Sequence, residues 1–226
     1  MKDLLLEGVV GSTAYGLSTP ASDVDYAGIF AAPTRTLLGL HPPSRERSTR
    51  QGRDGADATY HEVGKAMGLM LSCNPTAMEL LWLDEYTATT EFGSELVALR
   101  SCFPSARRVR DAFFGYASSQ LRLLTRGGAA ARREKHARHT MRLLRQGYRL
   151  YTTGTLPIRV PDPEPYFAFG RSVASDPEAR AARDLLAAYE SRFDAAVSAL
   201  PQRPDEEPLE DLLQRIRRAH LDREDS

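Results

Sequence analysis

The period of the apolar residues changes once along this chain, and that change limits the fold more than any other feature. Up to residue 61 the apolar residues come in short runs and alternations, broken by glycine, serine and proline. From residue 62 they recur every three or four positions, and after Pro104 the helical spacing is almost continuous. Strands first and helices afterwards place the chain in the α+β class. Residues 4–10 read as a first strand ending at Gly11-Ser12, residues 24–30 as a second and residues 56–61 as a short third. Between them, residues 33–56 hold several prolines and glycines and read as a long loop or loose insert.

The C-terminal half divides into amphipathic segments. Val109, Phe113, Ala117, Leu121 and Leu124 form one stripe, and Gly127-Gly128 breaks it. Ala137, Met141, Leu144, Tyr148 and Tyr151 form the next, closed by Gly154. Prolines 157, 161, 163 and 165 mark an extended connection. Leu185, Tyr189, Phe193 and Val197 then belong to a helix opened by Asp176-Pro177, and Leu209, Leu212, Leu213 and Ile216 to a last one. The expected organisation is a strand-bearing core over residues 1–103 with a helical region over 104–226 packed on it, either as two parts or as one continuous domain.

Composition narrows the function classes. The 226 residues carry 30 Lys and Arg against 30 Asp and Glu, with 42% hydrophobic residues, as in a folded globular chain. A neutral total excludes a histone-like binder of polyanions but leaves room for a local basic face. No apolar run approaches the ~18–20 residues of a membrane span, and the N-terminus shows no export signal. The two cysteines, Cys73 and Cys102, have no zinc-ligand or CxxC spacing and read as free thiols in a reducing cytoplasm.

One short stretch carries chemistry. Gly11-Ser12 follows the first strand, and ten residues later comes Asp23-Val24-Asp25. A Gly-Ser turn offers backbone N–H groups and a hydroxyl to a phosphate. Two carboxylates at i and i+2 of a strand point the same way and repel each other unless a divalent cation lies between them. Hard oxygen ligands select Mg²⁺. A phosphate cradle beside such a pair is what nucleotidyl transfer needs, with two metal ions clamping the attacking and leaving oxygens.

Gly11-Ser12 with Asp23-Val24-Asp25 resembles the DNA polymerase β-like nucleotidyltransferase superfamily. The longer segments Gly11-Ser12-Thr13-Ala14-Tyr15-Gly16, Ser22-Asp23-Val24-Asp25-Tyr26-Ala27-Gly28-Ile29-Phe30 and Asn74-Pro75-Thr76 are similar to its RNA-repair-pathway (RlaP-like) branch. Lys65, Glu79, Lys135, His139 and Arg142 also fit that branch, and the likeness spans roughly residues 4–160. It implies a small mixed or antiparallel sheet core, NTP as substrate, Mg²⁺ or Mn²⁺ at a two-metal site, and an RNA end as acceptor, with a protein or small-molecule hydroxyl as the other acceptors. It also implies a third carboxylate on a neighbouring strand. Asp57 is the first candidate, since Asp57, Thr59 and His61 share one face of the third strand. Glu62, at the start of a helix, is the runner-up, and Asp54 reads as loop.

Lys65 faces either the nucleotide or solvent. Tyr15 either stacks on a base or packs. His61 reads as a residue satisfied by a local hydrogen bond. Nine Lys and Arg against one acid give residues 121–150 a local charge of +8. Within them Lys135, His139 and Arg142 line one helix face, suited to a triphosphate tail, while Arg132, Arg133 and Arg138 read as solvated. The competing function is a nucleotide-binding regulatory or antitoxin-like module that binds without turnover. Oligomeric state, the NTP and the acceptor are left open.

Overall fold

The computed structural model describes residues 3–41, 48–53, 56–126 and 128–221. They form two compact units, one made of residues 1–71, 76–103 and 204–226, the other of residues 72–75 and 104–203. The first unit opens with β1 (Asp3–Val10), α1 (Gly11–Tyr15), β2 (Asp25–Ala31), α2 (Thr34–Leu38), β3 (Ser48–Arg53) and β4 (Ala56–Glu62). It continues through α3 (Val63–Leu71), α4 (Pro75–Glu79), β5 (Ala88–Thr89) and α5 (Glu91–Ala98). The helical unit holds α6 (Ala106–Thr125), α7 (Ala130–Thr153), α8 (Glu164–Ala174) and α9 (Arg180–Ala195). The chain then returns to the first unit, where α10 (Glu207–Ala219) packs on α3 and α5.

The sheet is mixed, in the order β3-β4-β2-β1-β5. β1 runs antiparallel to β2 and β5, β3 antiparallel to β4, and β2 parallel to β4. The central strands are covered on both faces, which explains why Leu6, Ile29, Phe30 and Ala58 are all buried. Across the middle runs a row of residues in register: Glu7 on β1, Gly28 on β2 and Tyr60 on β4. A Cβ at Gly28 would lie 2.6 Å from the Tyr60 ring, so the missing side chain lets that ring lie across the strand. Its hydroxyl donates to the buried Glu7 carboxylate, and the Thr87 hydroxyl donates to the same group at 2.8 Å. A charge on a covered sheet face is thereby satisfied.

α10 shows why residues 204–226 belong with the sheet. Leu209, Leu212 and Ile216 bury its apolar stripe, and its polar face reaches two acids. Arg217 forks onto both oxygens of Glu62, and Arg215 onto both of Glu95. The Arg215 contact holds the Glu95 carboxyl below its ordinary range.

In the helical unit α6 and α7 are joined by only four residues, 126–129, so they lie antiparallel as a hairpin. They approach closely where Gly147 faces Phe113, since a Cβ there would come within 2.5 Å of the Phe113 Cβ. The expected stripes are largely buried: Val109, Phe113, Ala117 and Leu124 on α6, and Ala137, Met141 and Leu144 on α7. Tyr148 and Tyr151 set their rings edge-on to Phe193 of α9, with centroids 5.4 and 5.2 Å apart.

The structure corrects several expectations. The supposed loop over residues 33–56 holds α2 and the edge strand β3, whose Ser-Thr-Arg-Gln-Gly-Arg sequence has no alternation to reveal it. Residues 42–47 and Asp54 lie outside the described residues. The proline-marked connection contains α8, because Pro165 occupies a first-turn position where a missing N–H costs nothing. The next helix ends at Ala195, so Val197 is not part of its stripe and is 91% exposed. Arg133 and Arg138 are not solvated. Arg133 is buried and donates to the carbonyls of Leu124, Val173 and Asp176, and Arg138 lies over the Phe167 ring at 4.9 Å. Both cysteines are free thiols, Cys73 buried and Cys102 partly so.

Candidate active site

The Gly-Ser turn and the second acid meet at the start of β2. β1 delivers Gly11 at its end, and Val10 pairs with Asp25 across the antiparallel ladder. Gly11 has φ +70°, a conformation that disfavours a side chain, and a Cβ built there would lie 2.5 Å from Asp25 Oδ2. The carboxylate therefore rests against bare backbone. Ser12 follows in the first turn of α1, which is closed by Gly16 in the left-handed region.

Asp57 stands beside Asp25. The two are register partners on the parallel strands β2 and β4, with main chains about 5 Å apart. Partners in such a ladder project to one face, so Asp25, Ala27 and Ile29 share it with Asp57, Thr59 and His61. Asp57 is exposed and Asp25 partly so. Glu62 is five residues further along β4, on the opposite face, buried and occupied by Arg217 and by the Gly64 N–H at 2.8 Å. It is a structural acid. Asp23 lies two residues before β2 begins, exposed and outside the ladder, so the expected i, i+2 pairing on one strand is not formed. Among the described residues no three His, Cys, Asp or Glu side chains gather closely enough to hold a metal ion. The arrangement seen is a carboxylate pair, with Asp23 next to it in sequence.

The other expected residues belong to different units, Lys65 to the first and Lys135, His139 and Arg142 to the helical one. Lys65 is on the first turns of α3, half-buried; burial lowers the pKa of His61, and the Lys65 charge adds to that shift. The His61 Nδ1 is buried and has no hydrogen-bond partner among the described residues, contrary to the expected local bond. Tyr15 does not stack on a base: it is buried and its hydroxyl donates to the buried Glu79 carboxylate. This bond ties α1, and with it the Gly-Ser turn, to the end of α4. Glu79 interrupts an otherwise apolar run, Met78 to Leu81, and an acid in such a run is a sequence signal for a buried partner.

Within the helical unit Lys135, His139 and Arg142 do follow one line on α7, but they differ in state. Lys135 is exposed. Arg142 is buried, with its guanidinium on Gln146 Oε1 at 2.5 Å and against a ring nitrogen of His139 at 3.3 Å. Gln146 is itself pinned by the carbonyls of Pro157 and Ile158. Burial, helped by Arg142, His136 and Lys135, holds the His139 pKa well below the ordinary histidine range. The imidazole is neutral at pH 7 and accepts from Arg142, so the row carries two cations and not three.

A comparison with protein families matches residues 2–211 to the RNA repair pathway DNA polymerase beta family, RlaP. The chain belongs to that family. No curated protein matches it. RlaP membership agrees with the α+β fold and points to a nucleotidyltransferase of the polymerase β type. No helix among the described residues is long and apolar enough to cross a membrane.

Proposed function

We propose that this protein is a metal-dependent nucleotidyltransferase that moves a nucleoside monophosphate from an NTP to an acceptor hydroxyl and releases pyrophosphate. The observation that carries the proposal is the Asp25–Asp57 pair, in register on parallel strands and walled on one side by the Cβ-less Gly11. The hard oxygen donors of Asp23, Asp25 and Asp57 suit Mg²⁺ or Mn²⁺. When bound, two such ions supply positive charge to the attacking and leaving oxygens.

The chain's own residues have distinct tasks in this reading. The Gly11-Ser12 turn offers N–H groups and a hydroxyl to the nucleotide's phosphates, and Tyr15 with Glu79 holds that turn in place. The acceptor oxygen forms a bond to the α-phosphorus as the bond from that phosphorus to the pyrophosphate oxygen breaks. Asp57, exposed at the strand start, takes the hydroxyl proton. In the helical unit Lys135 and Arg142 are the proposed phosphate ligands, with neutral His139 and Gln146 orienting the guanidinium. Lys65 is proposed to contact the nucleotide. The family's description favours an RNA end as acceptor; a protein or small-molecule hydroxyl is the alternative within the same chemistry.

The experiment is incubation with each labelled NTP, Mg²⁺ or Mn²⁺ and candidate acceptors, following pyrophosphate release. Turnover that Asp25→Asn and Asp57→Asn both abolish supports the assignment, whereas full activity in either variant sinks it. One observation favours a second reading, a nucleotide-binding module without turnover: Asp23 stands outside the ladder, and no three-acid group is closed among the described residues. Calorimetry showing NTP affinity in a protein that never releases pyrophosphate would select that reading.

A further inference from the structure

The neutral total of the chain conceals a division between its two units. The helical unit, residues 72–75 and 104–203, carries 18 Lys and Arg against nine Asp and Glu, a net +9, and the remainder carries the compensating −9. Much of that excess is neutralised locally or used in packing. Arg110, Arg138, Arg171 and Arg180 have carboxylate partners, Arg133 is buried on carbonyls, and Arg192 lies over the rings of Tyr148 and Tyr189. The closed end of the α6–α7 hairpin is different. Arg122 and Arg126 at the end of α6, and Arg132 and Lys135 in the first turns of α7, are all exposed. None of the four has a carboxylate within ion-pair distance among the described residues; Arg122 donates only to the Ser119 hydroxyl, at 2.7 Å.

This end of the hairpin is also rigidly built. Beneath it Leu124 and Ala137 join Val173, Ala179 and Ala182 in a buried cluster. Arg133 closes the turn onto Leu124, and His136 Nδ1 meets Gln120 Oε1 across the two helices at 2.7 Å. Four like charges held on a fixed support repel one another and gain from a ligand that brings several negative charges at regular spacing. We propose that the closed end of the α6–α7 hairpin is a docking site for the phosphodiester backbone of a polynucleotide, read by charge and not by base. Its cations are long and exposed, which suits contact with phosphate. The site goes beyond the transfer chemistry; it shares only Lys135 with the proposed nucleotide contacts, and Arg122, Arg126 and Arg132 have no part in them.

The test is binding of a labelled, mixed-sequence single-stranded RNA of about 20 nucleotides to the full chain. It is run in EDTA without NTP, so that loss of transfer activity cannot decide it. Four phosphate contacts give log affinity against log salt a slope of about −3. The triple variant Arg122→Gln, Arg126→Gln, Arg132→Gln leaves Lys135 in place. It should flatten the slope by about 2 and weaken binding at low salt at least tenfold. A second triple variant, Arg159→Gln, Arg183→Gln, Arg203→Gln, removes the same charge from exposed positions elsewhere in the unit and should stay within about threefold of wild type. Equal losses in both variants would overturn the site, as would no RNA binding in the wild type. Binding to anionic phospholipid vesicles in place of RNA would overturn it too.

Discussion

Replacing Gly11 by alanine separates two costs that usually arrive together. The first is backbone strain: a non-glycine residue at φ +70° loses about 1–2 kcal/mol. For a chain of this size that lowers Tm by roughly 2–8 °C. The second is displacement. The new Cβ would sit 2.5 Å from Asp25 Oδ2, and ordinary van der Waals contact begins at 3.4 Å, so one of the two must move by almost 1 Å. A misplacement of that size at a reacting centre costs about 10²-fold in rate. Gly154 isolates the strain, since it has φ +71° and its Cβ would meet nothing nearer than Leu200 Cδ2 at 4.0 Å. Gly11→Ala and Gly154→Ala should therefore melt at similarly lowered temperatures. Only the former should lose about 10²-fold in NTP-dependent pyrophosphate release. Wild-type turnover in Gly11→Ala, or an equal loss in Gly154→Ala, would refute the argument that the glycine exists to seat the carboxylate.

Three further outcomes follow from the same geometry. Asp57→Asn should lose transfer activity with its Tm little changed, whereas Glu62→Gln should keep activity and lose about 1.5–3 kcal/mol in urea titration, because it leaves Arg217 one amide oxygen in place of a carboxylate. Tyr60→Phe should cost about 1–3 kcal/mol by leaving the buried Glu7 carboxylate with one hydroxyl fewer, and full stability in this variant would show that the cross-sheet bond contributes nothing. His61, His136 and His139 all have pKa values lowered by burial, so below pH 6.5 the unfolded chain binds more protons than the folded one. Stability should be fully present above pH 6.5 and fall as pH drops below it, and His139→Gln should flatten that fall.

The residues that announce chemistry were legible because they are local. Gly11-Ser12 and Asp25 lie within fifteen positions, and their strand-turn-strand setting can be read from punctuation and alternation. Asp57 could be chosen from the face it shares on its own strand, but its place beside Asp25 is a fact of parallel pairing between strands some thirty residues apart. Tertiary partners were the hidden part. Nothing near Tyr15 in sequence names Glu79 as its acceptor, and nothing near Arg133 shows that three carbonyls will bury it. β3 and α8 were missed for a simpler reason. One lacks alternation, and the other begins at a proline that looks like an end and serves as a beginning.

The return of α10 to the first unit bears on how this protein is made. The helical unit is nearly contiguous in sequence, so a ribosome that has reached residue 203 has delivered all of it. The sheet is in the opposite position. Its α3 and α5 wait for Leu212 and Ile216, and Glu62 waits for Arg217, until α10 emerges. The sheet, begun before the helical unit, is thus finished after it. A chain cut short near residue 203 would keep Asp25 and Asp57 yet carry an uncompensated buried acid in the strand that positions one of them.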